Sequence, residues 1–221
     1  VAVEGQIVDR LLGTFLRQWA ALGGVIDFAF SGAQPAPGDR PMLVTTGQYT
    51  SGVSPLGVLY QTYMAAARKK LWIASPYFLP DTTTREALVS AAARGVDVRI
   101  LTMGPRNDRK FVYYASRELY GQLLRAGVRI FEYQPSLMHA KALIVDDAWA
   151  TIGSANVDPM SFFSNAELNV SAGQPALLAP LARWFHACIA DSVVIELEAW
   201  RNRGLWVSAH GWFWLRFRRV L

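Results

Sequence analysis

Ile7, Val8, Leu11, Leu12, Phe15, Leu16 and Trp19 recur at steps of three and four and are followed by Gly23-Gly24. The pattern predicts an amphipathic helix ended by glycine, with a stripe that needs a surface to cover it. Residues 31–41 then place Pro35, Pro37 and Pro41 among Gly32 and Gly38, too many breakers for regular structure, so a linker or exposed loop is expected there. The compact unit is expected to begin at Met42.

From that point β-rich runs alternate with helical ones. Strands are expected over 42–46, 71–75, 96–103 and 128–133, and helices over 55–69, 82–94 and 108–126. Gly95 and Gly127 close two of these helices directly before strands. Runs at 138–145 and 149–152 flank Asp146-Asp147 as a hairpin, 167–172 makes a further strand, and a helix follows over about 175–190. The alternation predicts an α/β fold: a layered αβα sandwich with a mixed, mainly parallel sheet. Residues 1–30 then form a helix and connection, 31–41 the linker, 42–200 the main domain and 201–221 a C-terminal tail.

Composition narrows the function classes. With 52% hydrophobic residues in 221 the chain can bury a substantial core and is not disordered. Its 22 Lys and Arg against 17 Asp and Glu leave a net charge of +5, which suits phosphate-bearing partners such as anionic lipid or nucleic acid. Cys188 stands alone and reads as a buried thiol, and the three His residues are too scattered for a zinc site, so no metal or other cofactor is expected.

The candidate chemistry lies in one stretch. His139, Lys141 and Asp146 form the pattern H-x-K-x-x-x-x-D, which runs into Gly153-Ser154-Ala155-Asn156. On an extended segment His139 and Lys141 share a face, so both heads can converge on one phosphate. An imidazole can attack phosphorus or move a proton. An ammonium, a hydroxyl and a carboxamide can cradle phosphate oxygens without a metal. Lys141, Ser154 and Asn156 are thus the candidate phosphate ligands. Asp146 falls on the opposite strand face from Lys141, which leaves it open between chemistry and a structural role at the turn. Glu167 is a candidate to bond an imidazole nitrogen, with a solvated strand carboxylate as the alternative.

These residues resemble the phospholipase D superfamily, and within it the bacterial cardiolipin synthase type, over nearly the whole chain. The resemblance rests on His139 to Asp147 followed by Ile152 to Asp158, and upstream on Pro76 to Asp81, Arg94 to Arg99 and Ala126 to Pro135. Two departures stand out: Pro159-Met160-Ser161-Phe162 where the subfamily commonly has Asn-Arg-Ser-Phe, and Ala166-Glu167 where it has an acidic pair.

The resemblance implies two such motifs building one site between two similar halves. This chain matches the C-terminal half, so a first half ahead of Val1 or a second copy in a homodimer is expected as partner. It implies a phosphatidyltransferase acting on phosphatidylglycerol through a phosphohistidine, with His139 as general acid and then base, at the inner leaflet of a bacterial membrane. The tail supports lipid over nucleic acid: Trp206, Trp212, Phe213, Trp214 and Phe217 lie among five arginines and no acid, a composition suited to an anionic membrane surface. Packing of those aromatics on the chain's own core is the other reading. A homodimeric nuclease and a non-catalytic membrane-binding half-domain are the competing functions.

Overall fold

The computed structural model describes residues 2–25, 41–47 and 53–217. Residues 31–40 of the expected linker, 26–30 of the connection before it and 218–221 of the tail lie outside them. The elements run α1 (Gln6–Ala21), β1 (Met42–Gly47), α2 (Pro55–Ala66), β2 (Lys70–Ala74), α3 (Thr82–Ala93), β3 (Asp97–Met103), α4 (Lys110–Arg125), β4 (Arg129–Tyr133), β5 (Lys141–Val145), β6 (Trp149–Gly153), α5 (Pro159–Phe163), β7 (Glu167–Ala172), α6 (Pro175–Ala190), β8 (Ser192–Val194), α7 (Leu197–Arg201) and α8 (Leu205–Leu215).

The strands form one sheet in the order β1-β7-β6-β5-β2-β3-β4-β8. The α/β class and mixed sheet are as expected, but the directions differ from the mainly parallel expectation. Only β2-β3 and β3-β4 pair in parallel, while the other five pairings are antiparallel. The physical reason is the connections. Helices α3 and α4 carry the chain back across the sheet and allow parallel return, whereas the short turn at Asp146-Asp147 can only reverse it. That turn holds two non-glycine residues at positive φ, 52° and 54°, a conformation aspartate tolerates better than most.

Alternation along the central strands sorts their side chains onto two faces. Leu71 and Ile73, Val98 and Ile100, and Leu143 and Val145 point towards Leu56, Tyr60 and Met64 of α2, Leu88 of α3 and Leu123 of α4. Trp72 and Ala74, Leu101 and Met103, and Ala142 and Ile144 point the other way, onto Leu178, Phe185 and Cys188 of α6. Cys188 is buried there as the sequence suggests. Local signals set the helix starts: Ser54 and Asp81 accept N–H bonds at the heads of α2 and α3, and Pro55 opens α2.

One buried ion pair ties α4 to the sheet. Arg117 Nη1 lies 2.6 Å from a Glu132 carboxylate that is 3% exposed, and donates to Tyr113 Oη as well. Burial pushes the Glu132 carboxyl above the ordinary carboxylate range in spite of Arg117. On the outside of α4 lie α7 and α8. Trp200 donates to the Arg117 carbonyl, and Arg203 pairs with Glu118 at 2.8 Å. Among the described residues no helix is long and apolar enough to cross a membrane.

Candidate active site

The sheet order collects most of the candidate residues at one end. Ala74, the last residue of β2, pairs with Ala142 of β5, so β5 begins where β2 ends. Lys141 pairs with Gly153 at the end of β6, and Glu167 at the start of β7 pairs with Gly47 at the end of β1. The loop after β3, holding Asn107, Asp108 and Arg109, opens at the same end. In an α/β sheet the carboxyl ends of parallel strands form the natural crevice for a ligand, and His139 and Lys141 stand at its centre.

Lys141 opens β5 at 7% exposure, and its Nζ donates to the His139 carbonyl at 2.8 Å. Burial lowers the pKa of this ammonium, while the carboxylates of Glu167, Asp158 and Asp108 act to raise it. The His139 side chain is exposed. Its ring lies edge-on to Tyr77 with centroids 6.2 Å apart, and among the described residues no hydrogen bond reaches it. Exposure at the mouth of a crevice is what a proton carrier to an incoming substrate requires.

Ser154 and Asn156 follow β6 and are fixed by different means. Ser154 N donates to the Leu168 carbonyl, and its Oγ accepts from Leu168 N, both at 3.0 Å. The hydroxyl proton stays available for a phosphate oxygen. Asn156 is buried, its backbone N–H donates to Ser161 Oγ at 3.0 Å, and its Oδ1 finds no partner among the described residues. Gly153 is required between β6 and this segment, because a Cβ there would collide with the Leu168 carbonyl and the Asn169 side chain.

Glu167 does not bond an imidazole of this chain. It accepts from Ser161 Oγ at 2.7 Å and from Asn165 Nδ2 at 3.3 Å. The run from Asn156 N–H through Ser161 Oγ to Glu167 locks two candidate residues together through a fully buried hydroxyl. Ser161 is also the residue retained where Pro159-Met160 departs from the subfamily pattern. Within this half Glu167 is thus neither bonded to an imidazole nor simply a solvated strand carboxylate: local hydrogen bonds fix it.

For Asp146, left open between chemistry and a structural role at the turn, the contacts are those of the structural reading. It sits past the far end of β5, about 16 Å of extended chain from Lys141. Its carboxylate accepts the backbone N–H groups of Arg68, Lys69 and Lys70 at 2.9, 2.7 and 2.8 Å, clamping the entry of β2. Burial works to raise its pKa, and the three donors override it, holding the carboxyl below the ordinary range. A carboxylate so depressed stabilises the fold above its ordinary pKa, and that contribution is lost as pH falls through the folded value. Asp146→Ala is expected to cost about 1–3 kcal/mol at pH 7, to cost little in strong acid, and to leave turnover unchanged below the melting range. Denaturation curves at two pH values check the first two points and a turnover assay the third.

Several site residues were not singled out from the sequence. The Tyr77 hydroxyl donates to Asp108 at 2.9 Å, and the Arg109 guanidinium lies 5.2 Å from the Tyr77 ring centroid. Arg109 belongs to the basic run 106–110, which reads from sequence as a solvated face. The segment around Tyr77 is laced to the one around Asn156: Val157 N donates to Ser75 Oγ at 3.0 Å and Leu79 N to the Val157 carbonyl at 2.9 Å. The available signal was positional, since Tyr77 and Asp108 each follow a parallel strand.

Asp158 is a further such residue. It accepts from Ser161 N at 2.7 Å, and burial first, with Glu167 also contributing, raises its pKa to about 6. An acid raised in this way adds stability that is full below its ordinary value and lost as pH rises through about 6. Asp158→Asn keeps a residue that caps well and removes the titration. The wild type is therefore expected to lose melting temperature relative to the variant between about pH 4 and about pH 6. Parallel pH curves for both proteins would show no divergence if Asp158 were unperturbed.

Among the described residues no group of three or more His, Cys, Asp or Glu side chains is placed to hold a metal ion. An apolar groove lined by Ile152, Leu168, Val170, Leu181 and Trp184 opens beside Lys141 and continues between α1 and α6.

Known proteins resemble this chain in sequence and in fold. Residues 60–189 match a family model described as cardiolipin synthase, PLD-like domain. Cardiolipin synthase 2 of Bacillus anthracis is 34% identical over 207 residues, 92% of this chain but 40% of that protein. The chain thus spans well under half the length of the curated relatives it matches. Among solved structures, phosphatidylserine synthase of Haemophilus influenzae superposes with a TM-score of 0.60 at 16% identity, covering 94% of this chain and 51% of that one. The phospholipase D family member Nuc of Salmonella typhimurium superposes at 0.58 and 22% identity, covering 71% of this chain and 99% of that one. At these identities the structural likeness concerns the fold.

Proposed function

Because this chain belongs to the cardiolipin synthase-type, phospholipase D-like family of enzymes, we propose that it is one half of a phosphatidyltransferase that moves a phosphatidyl group between phosphatidylglycerol molecules. The observation that carries this reading is the convergence of His139, Lys141, Ser154 and Asn156 at one sheet end, beside an apolar groove. A second histidine, from another part of the protein or a second copy, completes the site.

In the first step the second imidazole nitrogen forms a bond to phosphorus while the bond to the glycerol oxygen breaks. His139 gives its proton to that oxygen, releasing glycerol. In the second step His139 takes the proton from a hydroxyl of another phosphatidylglycerol, whose oxygen bonds phosphorus as the phosphorus–nitrogen bond breaks. Lys141, the Ser154 hydroxyl and the Asn156 carboxamide hold the equatorial oxygens, and Tyr77 walls the His139 ring. The enzyme works at the cytoplasmic face of a bacterial inner membrane.

Incubating the complete protein with phosphatidylglycerol vesicles tests the reading. Formation of a four-chain diphosphatidyl product with release of one glycerol per product is the expected result. Release of phosphatidic acid alone would replace transfer by hydrolysis, and cleavage of DNA with untouched lipid would replace both by a nuclease.

A further inference from the structure

Helix α8 is apolar on both sides, and only one side is covered. Its inner face packs on α4: Trp214 meets Phe111 with ring centroids 5.7 Å apart, Trp214 and Leu215 pack against Leu79, Ala115 and Leu119, and Gly211 lies against Glu118. On the outer face two pairs seven residues apart, about two helical turns, stay exposed: Leu205 88%, Trp206 80%, Trp212 61%, Phe213 50%. A soluble helix normally turns a polar face outward, and a contiguous exposed apolar face marks a contact surface.

Position and charge identify what covers it. Phe111 lies in the first turn of α4, directly after Asp108 and Arg109, and Leu79 lies two residues beyond Tyr77. The C-terminal end of α8 therefore flanks the mouth of the active site. Arg201 and Arg203 are paired with Glu198 and Glu118, but no acid follows Glu198 in the sequence, whereas Arg216, Arg218 and Arg219 do. Arg216 lies over the Trp212 ring at 5.1 Å, so cation and indole share the outer face. A second copy of this chain would meet the same positive charge, which opposes self-pairing. An anionic bilayer offers both an apolar layer for the indoles and phosphates for the guanidinium groups.

We propose that the outer face of α8 inserts into the interfacial layer of an anionic bilayer and brings the mouth of the active site to headgroup level. This rests on the lipid-phosphodiester reading of the site and adds the surface through which the protein reaches its substrate. Trp206, Trp212 and Phe213 act as anchors, and Arg216 selects for anionic lipid.

The test is co-sedimentation of this chain with vesicles of phosphatidylglycerol and phosphatidylcholine, and with phosphatidylcholine alone. The triple variant Trp206→Glu, Trp212→Glu, Phe213→Glu changes only exposed side chains and is checked for folding by circular dichroism. Its affinity for anionic vesicles is expected to fall about tenfold or more, and wild-type binding is expected to weaken between about 0.1 M and about 1 M salt. Quenching of wild-type tryptophan fluorescence by brominated lipid gives a readout that needs no variant. Unchanged vesicle affinity in the triple variant, no wild-type preference for anionic vesicles, or no quenching would each overturn the proposal. His139→Ala is expected to bind vesicles as the wild type does. Membrane binding without turnover in the complete wild-type protein would thus count against the catalytic reading alone.

Discussion

Lys141→Met is expected to lower phosphodiester turnover by about 10²–10³-fold, the usual cost of removing one preorganised group that stabilises transition-state charge. The fold should survive, because methionine occupies a similar volume at a position only 7% exposed and adds no charge to bury. Two effects combine in the loss. The phosphate oxygens lose their ammonium, and the loop bearing His139 loses the bond from Lys141 Nζ to its carbonyl. Lys141→Arg is not expected to restore activity, since a planar guanidinium needs more room than this buried position leaves. Burial depresses the Lys141 pKa, so the ammonium deprotonates earlier than an ordinary lysine as pH rises. The alkaline limb of the rate profile is accordingly expected to fall below the usual lysine range, and a limb at or above that range would contradict this role.

Arg117→Met is the change expected to cost most stability, about 3–5 kcal/mol at pH 7, because it strands a carboxylate buried between α4 and β4. Glu132 already has its pKa raised by burial, and without Arg117 it rises further. A raised acid contributes stability that is present in acid and lost as pH climbs through the folded value. The deficit of the variant should therefore shrink as pH falls towards the ordinary carboxylate range. Adding Glu132→Leu should recover much of the loss, since removing both partners leaves no buried charge unpaired. Denaturant titrations of the two variants at pH 7 and at acid pH measure these differences. An equal deficit at both pH values would place the cost in packing and not in charge.

Much of this molecule is legible in its sequence where one physical signal dominates. The strands and helices between Met42 and Tyr133 emerge from a hydrophobic period that switches between two and near 3.6. Strand β8 escapes because three residues carry no period, and its place beside β4 is fixed by pairing of Phe131 with Val194. Helix α8 escapes because both its faces are apolar, which erases the amphipathic signal. The antiparallel share of the sheet depends on which strands neighbour each other, and β1 lies next to β7 although 119 residues stand between Gly47 and its partner Glu167.

The candidate site divides along the same line. His139 and Lys141 are readable because two residues on one extended segment must share a side. Asp146 belongs to the same short pattern, yet the length of β5 carries it to the opposite end of the sheet, where it clamps the backbone of Arg68 to Lys70. Tyr77, Asp108 and Arg109 come from two loops 30 or so positions apart in sequence, roughly the length of one βαβ unit. Tyr77 meets His139, and Asp108 and Arg109 meet Tyr77, because β2 and β3 run parallel and end together. The Ser161 hydroxyl is hidden for a related reason: its partners Asn156 and Glu167 are joined by a short turn of helix that no period announces.

The most direct measurement is turnover of phosphatidylglycerol by the complete protein in the presence of a metal chelator, with His139→Ala measured alongside. The account requires the wild type to stay active in chelator and the variant to lose about 10²–10⁴-fold, the range supplied by a positioned general acid and base. The side chain is exposed, so the variant should fold as the wild type does. Activity abolished by the chelator, or retained in a correctly folded His139→Ala protein, would contradict the assignment of this sheet end as a histidine-based phosphatidyl-transfer site.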